Sequence, residues 1–420
     1  MVLLLPRERA ILVIAIRQSF STSVPVNSTI PKEKEEAVGA RGRKLVLVSG
    51  YYGFGNLGDE AILEEIVNEL KRLVPPGDIV ILSNTPERHA ELFGVKAIYR
   101  WSFPLLLRQL PKARLFLSGG GGLFQDVTSV NSTVFYALQI LLARCFFVPV
   151  LFYAQGLGPL KTAIGTFMTR IAAKLSQSIS VRDAVSKELL KSWQIEAHLT
   201  ADPVWALEAE PLPNDVQAIL ASQMPEGKNN LRLALSLRKS HNLTPELVET
   251  LVEALASVFP PDACLVLLPL QESLDNEYLG LAEAAWKAKG RPAFLLQTAR
   301  LERPSQWLSL MAQFDIVVAM RLHAGIMALK AGVPVVGIAY DPKVQSVLEE
   351  FGQPILNLPK ENGLKDTRQI WEKTMKAALE DVAALSRAAG ERSQHAKNLA
   401  CQNFHLIAKI LGMQSDPHAS

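Results

Sequence analysis

The sequence predicts an α/β protein built from two Rossmann-like domains that face a central cleft. The chain has 420 residues, more than one hydrophobic core usually supports, so two domains are expected. Short apolar runs alternate with helical patterns in both halves, which is typical of parallel sheets with helical crossovers. Glycines and polar residues follow the apolar runs, at the strand ends where open parallel sheets bind ligands.

Composition and charge exclude several classes of protein. Hydrophobic residues make up 49% and charged residues 20%, which is typical of a well-buried globular protein and not of a disordered one. The formal net charge is +3 and the basic residues are dispersed, so no nucleic-acid partner is expected. The cysteines Cys145, Cys264 and Cys401 lie far apart and form no CxxC pair, which suits a reducing, cytoplasmic location.

Two segments bear on membranes and targeting. Residues 1–43 are predicted to be a disordered N-terminal extension, and a weak targeting sequence or an extended reading frame are the alternatives. Their longest apolar run is too short to span a bilayer. Residues 135–153 are nearly long enough to span one. Arg144 would then lie near the centre of the bilayer, at a cost of about 2.5 to 3.5 kcal/mol, and Pro149 would interrupt the helix. We therefore expect a buried helix followed by a core strand.

The first domain is expected to cover residues 44–207 and to begin with a phosphate-binding loop. A strand at 44–49 precedes the segment GYYGFGNLGDEA, and a helical pattern begins after it. The GxGxxG pattern in this segment would let backbone amides approach an anion at a helix N-terminus. The strand at 79–83 ends in Asn84 rather than in the acidic residue that binds the ribose of a dinucleotide, so a nicotinamide site is not expected.

Polar side chains lie at the start of the first predicted helix, whose apolar periodicity begins at Ile62. Asp59 and Glu60 either cap this helix and interact with its dipole or place a carboxylate at the ligand site. In the second case the carboxylate would act as a general base toward a substrate hydroxyl. Asn56, on the same loop, either caps the helix or hydrogen-bonds a ligand.

Other strand ends of the first domain also carry glycines and polar residues. The strand at 114–117 leads into four consecutive glycines at 119–122, which indicate either a close backbone approach or a flexible loop. Two more strands are predicted at 150–154 and 178–181. The candidate ligand-binding residues at these ends are Gly120, Gly121, Gln155 and Arg182. Arg182 could instead pair with Asp183.

The second domain is expected to cover residues 231–365. Residues 208–230 are rich in proline, asparagine and acidic residues and are predicted to be the interdomain linker. Residues 366–420 have a helical pattern and are expected to form C-terminal helices. The strands predicted in the second domain lie at 231–237, 264–268, 293–296, 316–319 and 333–338.

The strongest candidate site follows two adjacent strands of the second domain. Arg321 and His323 come directly after the strand at 316–319, and Lys343 follows the strand at 333–338. Each residue alone has an ordinary structural explanation, but like charges repel unless something negative lies between them. The pattern therefore predicts an anion-binding site. Arg238, which follows another strand, is a further candidate.

Several motifs, in this order and spacing, resemble the polysaccharide pyruvyl transferase family of the CsaB type. The resemblance covers residues 44–352. The motifs are GYYGFGNLGDEA, SGGGGLFQD, AQGLGPL, SVRDAVS, ADPV and MRLHAGIMALKAGVPVVGIAYDPKV. Members of that family have a GT-B-like fold and move the pyruvyl unit of phosphoenolpyruvate onto a sugar as a cyclic ketal, releasing phosphate.

The resemblance implies roles for the candidate residues. Arg321, Lys343 and Arg182 would hold phosphoenolpyruvate, with Arg238 as a further candidate, because bidentate arginines and a lysine suit its carboxylate and phosphate. His323 would act as general acid and Asp59 as general base. Neither a metal ion nor a cofactor is expected beyond phosphoenolpyruvate as co-substrate. The acceptor would be a sugar or a lipid-linked saccharide, which places the protein in the cytoplasm, at the inner face of the membrane in peripheral contact.

Two other functions are compatible with the sequence. A GT-B glycosyltransferase that uses a nucleotide sugar would have the same architecture, and Asp341 could hold its ribose. A non-catalytic nucleotide-binding module would keep the glycines, but it would not need the cationic cluster. The sequence does not determine the acceptor sugar or the oligomeric state.

Overall fold

The apolar runs of the sequence form two parallel β-sheets with helices in the crossovers. The computed structural model describes residues 42–127, 129–224, 231–359 and 364–413. Because helices cover both faces of these sheets, most strand residues are buried. The strands therefore appear in the sequence as continuous apolar runs and not as alternating patterns. The prediction of an α/β protein with two Rossmann-like sheets is confirmed.

The first sheet has seven strands in the order β3-β2-β1-β4-β5-β6-β7. Its strands are β1 (Leu45–Ser49), β2 (Ile79–Ser83), β3 (Lys96–Tyr99), β4 (Ala113–Ser118), β5 (Val150–Gln155), β6 (Ser178–Val181) and β7 (His198–Leu199). Its helices are α1 (Leu57–Leu73), α2 (Pro86–Phe93), α3 (Phe103–Gln109), α4 (Val130–Cys145), α5 (Ala163–Leu175) and α6 (Ala184–Ser192). The order reverses between β1 and β4, which is the position where doubly wound sheets open a ligand crevice.

The second sheet has six strands in the order β10-β9-β8-β11-β12-β13. Its strands are β8 (Arg232–Ser236), β9 (Cys264–Leu267), β10 (Ala293–Leu295), β11 (Ile316–Ala319), β12 (Val335–Ala339) and β13 (Ile355–Asn357). The remaining helices are α7 (Asn214–Gln223), α8 (Pro245–Val258), α9 (Glu272–Lys287), α10 (Pro304–Met311), α11 (Leu322–Lys330), α12 (Pro342–Glu350), α13 (Leu364–Glu380) and α14 (Val382–Ile410).

Each sheet has its own hydrophobic core. Phe116, Tyr136 and Phe152 are fully buried around the first sheet, and Trp286 and Trp371 around the second. The apolar segment at 135–153 forms the second half of α4 and most of β5, as predicted. Among the described residues, no helix is both long enough and apolar enough to cross a bilayer.

Contacts between Cα atoms divide the chain into two compact units. Of the described residues, the first unit comprises those in 42–53, 66–200 and 402–413, and the second comprises those in 54–65 and 201–401. This division differs from the predicted domain boundaries in several places, and residues 201–207, which were predicted in the first domain, belong to the second unit. The predicted linker at 208–230 belongs to the second unit and contains α7, and the first part of α1 also belongs to the second unit. The predicted extension at 1–43 lies outside the described residues except for its last two.

Three short strands were not predicted, and one helix begins earlier than its periodicity indicated. The missed strands β3, β7 and β13 have two to four residues, and β3 carries exposed Lys96 and Tyr99 at its ends, so none of them forms a long apolar run. The α1 helix begins at Leu57 rather than near Ile62, because its first turn is polar and lacks the apolar repeat. Asp59 and Glu60 therefore lie in that first turn, where negative charge interacts favourably with the helix dipole.

Candidate functional site

The starts of α1 and α11 meet within the second unit. The buried run of β11 ends at Ala319, and α11 begins three residues later, so His323 lies in its first turn. The imidazole ring of His323 packs directly on the backbone of Gly58, where an added Cβ atom would overlap ring atom Nδ1. Gly58 is therefore required for this close approach and not for an unusual backbone angle.

A buried carboxylate faces the other nitrogen of the same ring. Asp202 Oδ2 lies 3.4 Å from Nε2 of His323, and this nitrogen is itself buried. Asp202 Oδ1 also accepts a hydrogen bond from the backbone N–H of Val204 at 3.1 Å, which fixes the carboxylate in place. A carboxylate beside one imidazole nitrogen orients the ring and sets which nitrogen carries the proton. Asp202 belongs to the ADPV motif, to which sequence reasoning gave no role.

The first turn of α1 places a second carboxylate next to Gly58. Asp59 is buried, and its Oδ2 accepts a hydrogen bond of 2.5 Å from Nδ2 of Asn56. Asn56 also accepts at Oδ1 from the backbone N–H of Gly58, at 3.3 Å. Asn56 thus holds the carboxylate and the glycine in one local network. The half-buried Glu60 lies in the same turn, and its N–H donates to the backbone oxygen of Asn56 at 3.1 Å.

The charge of Arg321 is offset within the protein. Its Nε donates to Asp275 Oδ2 at 3.1 Å, and its Nη2 donates to Asp275 Oδ1. Asp275 is fully buried and accepts two further hydrogen bonds, from the backbone N–H groups of Leu270 and Gln271. Asp275 therefore supplies negative charge to Arg321 within the protein, and the prediction that Arg321 binds an anion stays a prediction.

Lys343 and Arg238 both flank the segment that follows β12. Asp341 caps α12, and its Oδ1 accepts the backbone N–H of the half-buried Lys343 at 2.8 Å. Arg238 follows β8, and its Nη1 donates to the hydroxyl of Tyr340 at 3.1 Å. Its guanidinium carbon lies 5.8 Å from the centre of the Tyr340 ring. The two side chains therefore place positive charge at the carboxyl edge of the second sheet.

The remaining predicted residues belong to the first unit, where they contact one another. Gln155 is buried and donates through Nε2 to the backbone oxygens of Ser118, at 3.1 Å, and Gly119. The predicted ligand residues Gly120 and Gly121 lie in the same loop, and Gly121 accepts the backbone N–H of Gly156 at 2.8 Å. The guanidinium of Arg182 lies against Gly156, since an added Cβ there would be 2.7 Å from its Nε.

The first glycine of the run, Gly119, lies close to another part of the protein. An added Cβ at Gly119 would overlap the hydroxyl of the buried Tyr52, and one at Gly50 would overlap its ring. Gly50 and Gly119 therefore make room for Tyr52 between the ends of β1 and β4. Ligand contacts by Gly120 and Gly121 stay a prediction.

The structure places seven of the predicted residues in the second unit and four in the first. Those of the second unit are Asn56, Asp59, Glu60, Arg238, Arg321, His323 and Lys343. Those of the first unit are Gly120, Gly121, Gln155 and Arg182. Within the second unit, His323 packs on Gly58, the residue before Asp59, so an imidazole and a carboxylate lie in neighbouring helix turns, which suits proton transfer.

Sequence reasoning missed the buried carboxylates Asp202 and Asp275. Asp202 is remote in the chain from His323, and Asp275 is remote from Arg321 and lies among other acidic residues of α9, so the sequence did not indicate either pairing. The part of the chain that the structure describes contains no group of three or more His, Cys, Asp or Glu side chains that could hold a metal ion. The expectation of a metal-independent reaction stays a prediction.

Comparison with known families and proteins gives one match in sequence and several in fold. A family model described as polysaccharide pyruvyl transferase matches residues 56–342. A search of curated protein sequences found no match.

Several solved structures are similar to the chain over most of its length. The Anabaena protein HepE, solved in complex with UDP and glucose, has 14% identity and a TM-score of 0.55, covering 88% of this chain and 100% of that chain. UDP-GlcNAc 2-epimerase from Neisseria meningitidis, bound to UDP-GlcNAc, has 14% identity and a TM-score of 0.57, covering 87% and 99%. Sucrose-phosphate synthase from Thermosynechococcus elongatus has 14% identity and a TM-score of 0.56, covering 88% and 100%. At these identities the likeness is one of fold, and the fold is GT-B-like.

Proposed function

The chain belongs to the polysaccharide pyruvyl transferase family, and from this premise we propose that it transfers the pyruvyl group of phosphoenolpyruvate to a saccharide. The product is a cyclic ketal across two hydroxyls of a sugar in a cell-wall or surface polysaccharide precursor, and phosphate is released. The observation that carries the proposal is the pairing of His323 with Gly58 and Asp202, since all three lie within the matched segment. Phosphoenolpyruvate is a co-substrate, and no cofactor is invoked.

In this reaction His323 is the general acid. It donates a proton to the methylene carbon of phosphoenolpyruvate, so that the central carbon becomes electron-poor and open to attack. Nε2 is buried and faces Asp202, and the ring packs on Gly58, so the imidazole is held in one orientation. Asp202 keeps the ring in this orientation.

Asp59 is the general base in the same scheme. It accepts the proton of the first sugar hydroxyl while that oxygen bonds to the central carbon of the donor. The bond from that carbon to the phosphate oxygen then breaks, the second hydroxyl closes the ring, and its proton leaves with the phosphate. Asn56 orients the Asp59 carboxylate through the hydrogen bond from Nδ2.

The anionic groups of the donor require positive partners. Lys343 and Arg238 lie beside the start of α12, and the N-termini of α1 and α11 add partial positive charge. Arg321 is paired with Asp275. In this scheme it adds to the positive electrostatic potential at the donor site and positions the turn before His323. A donor contact by Arg182 and ligand contacts by Gly120, Gly121, Gln155 and Glu60 stay predictions. We further propose that the protein acts in the cytoplasm, at the inner face of the membrane, where a lipid-linked acceptor would be presented.

Phosphate release from phosphoenolpyruvate, measured with a panel of synthetic and lipid-linked sugar acceptors, tests the proposal. We expect His323→Ala to lower kcat by about a hundredfold to ten-thousandfold, the usual contribution of a general acid. We expect Lys343→Ala to raise KM for phosphoenolpyruvate. The matched controls are His241→Ala and Lys373→Ala, which change exposed residues elsewhere in the second unit. Near-wild-type turnover by both His323→Ala and Lys343→Ala would contradict the proposed roles.

A second function is favoured by the ligands of proteins with the same fold. HepE was solved with UDP and glucose, and the Neisseria epimerase with UDP-GlcNAc. A glycosyltransferase that uses a nucleotide sugar is therefore the alternative, with Asp341 as the candidate ribose ligand. Product analysis separates the two functions: a pyruvylated acceptor formed from phosphoenolpyruvate supports the first, and a glycosylated acceptor formed from a UDP-sugar supports the second.

A further inference from the structure

One segment of the first unit has an unusual charge balance. Residues 127–182 contain no aspartate or glutamate, although about five would be expected from the 41 acidic residues in the 420-residue chain. The same 56 residues contain Arg144, Lys161, Arg170, Lys174 and Arg182. The segment includes α4 and α5, so both helices carry positive charge with no acidic side chain of their own to offset it.

The same two helices expose large apolar side chains. The α4 and α5 helices pack against each other, and because both connect adjacent parallel strands, they run in the same direction. The exposed apolar side chains are Leu138 (39% exposed) and Leu141 (40%) on α4, Phe147 (71%) just after α4, and Ile164 (59%) and Phe167 (58%) on α5. We call these five residues the α4–α5 face.

Their spacing shows that the exposed residues form stripes. Leu138 and Leu141 are three residues apart on α4, and Ile164 and Phe167 are three apart on α5, so each pair projects from one side of its helix. The opposite sides of both helices are buried in the core of the first sheet. The exposed positions are therefore not needed to hold the helices in place.

Basic side chains continue the same stripes. Arg144 follows Leu141 by three residues, and Arg170 and Lys174 follow Phe167 by three and seven, and all three basic residues are exposed. Since the helices run in the same direction, these basic residues lie toward the same end. Long basic side chains can keep their charge in water while their methylene stems contact apolar surroundings.

We propose that the α4–α5 face docks on the surface of an anionic lipid bilayer. Apolar side chains of this size insert into the boundary between headgroups and acyl chains, and nearby lysines and arginines are attracted to anionic headgroups. A symmetric contact between two copies of the chain would bring the same basic residues close to one another, with no acidic side chain on either helix to offset them. The charge therefore favours an anionic membrane over a second copy.

Co-sedimentation of the full-length protein with vesicles tests this proposal without reference to catalysis. The vesicles are phosphatidylcholine alone or phosphatidylcholine with phosphatidylglycerol at about seven to three. We expect binding to the anionic vesicles that is weakened by salt, and little binding to the neutral ones. The double substitution of Ile164→Ser and Phe167→Ser should abolish the binding. Ile370→Ser, which changes an exposed apolar residue of the second unit, should leave it unchanged.

Charge substitutions give a second, independent readout. The double substitution of Arg170→Gln and Lys174→Gln should weaken binding to anionic vesicles by about fivefold per residue, from about 1 kcal/mol per basic residue near such a surface. Lys373→Gln with Lys376→Gln is the matched control in the second unit. The proposal is overturned by absence of binding, by equal binding to neutral vesicles, or by a dimer in analytical ultracentrifugation that the Ile164→Ser and Phe167→Ser pair dissociates.

Discussion

At the scale of the residue, the imidazole ring of His323 is packed between a helix backbone and a buried carboxylate. The backbone of Gly58 lies against Nδ1, and the carboxylate of Asp202 lies 3.4 Å from Nε2. Asp202 is itself fixed by the backbone of Val204. The ring therefore has a defined orientation before a substrate binds, which is the condition for efficient proton transfer.

Because of this packing, the substitution Gly58→Ala tests whether catalysis needs the present position of the His323 ring. We expect phosphate release to fall at least tenfold, because the added methyl group would displace the imidazole ring of His323. The matched control is Gly280→Ala, since Gly280 lies within α9 and an added Cβ there meets nothing within 4 Å. That substitution should keep full activity and stabilise the helix by about 0.5 to 1 kcal/mol. Full activity in the Gly58→Ala variant would show that the ring does not need its present position.

The ion pair between Arg321 and Asp275 should matter more for stability than its exposed counterparts do. We expect Asp275→Asn to lower the free energy of unfolding by about 3 to 5 kcal/mol, because it leaves a buried guanidinium without its counter-charge. Urea unfolding followed by circular dichroism measures this change. Glu277→Gln, which breaks the exposed pair with Lys239, is the control and should have no measurable effect. Equal effects of the two substitutions would contradict the assignment.

At the scale of the element, α1 is attached at three points to other parts of the second unit. The N–H of Leu57 donates to the backbone oxygen of Leu270 at 3.0 Å, and Gly58 contacts His323. Nearly two turns further on, the buried carboxylate of Glu64 accepts from the N–H of Ser305 at 2.8 Å and from its hydroxyl at 3.1 Å. Glu64 thus caps the start of α10 from outside that helix.

Glu64 should make stability depend on pH in a particular direction. Burial raises the pKa of its carboxyl above the ordinary value of 4.5, although Ser305 and Arg303 partly oppose this rise. The folded state therefore holds this proton more tightly than the unfolded chain does. The resulting stabilisation is complete below pH 4.5 and is lost as the pH rises through the raised pKa, by about 1.4 kcal/mol for each pKa unit of the rise.

Glu64→Gln removes this ionisation and tests it. Relative to the wild type, the variant should gain stability as the pH is raised from 4.5 to 8, measured as the free energy of unfolding in urea. The exposed Glu249→Gln serves as the control and should follow the wild type across that range. A relative loss of stability with rising pH would mean that Arg303 outweighs burial at Glu64.

At the scale of the whole molecule, periodicity predicted the sheets well and the long-range pairings not at all. The strands at 79–83, 178–181 and 316–319 have the predicted bounds. Strands of this kind are buried on both faces, so their sequences are continuous apolar runs that are easy to recognise. The placement of Arg321 and His323 at the end of a strand followed from the same runs. Asp202 and Asp275 could not be found this way, because a carboxylate that pairs with a residue distant in the chain leaves no local pattern. For the same reason, Tyr52 was not recognised as the group that the glycines accommodate.

The membership of α1 in both units has a consequence for recombination between relatives. A chimaera joined within residues 208–230 would take Gly58 and Asp59 from one parent and His323 from the other. Any residue other than glycine at position 58 would place a Cβ atom on the imidazole ring, so a parent with another residue there would disrupt the site. A crossover design that preserves the site must transplant residues 54–65 together with residues 201–401, although about 135 residues separate the two segments in the gene product.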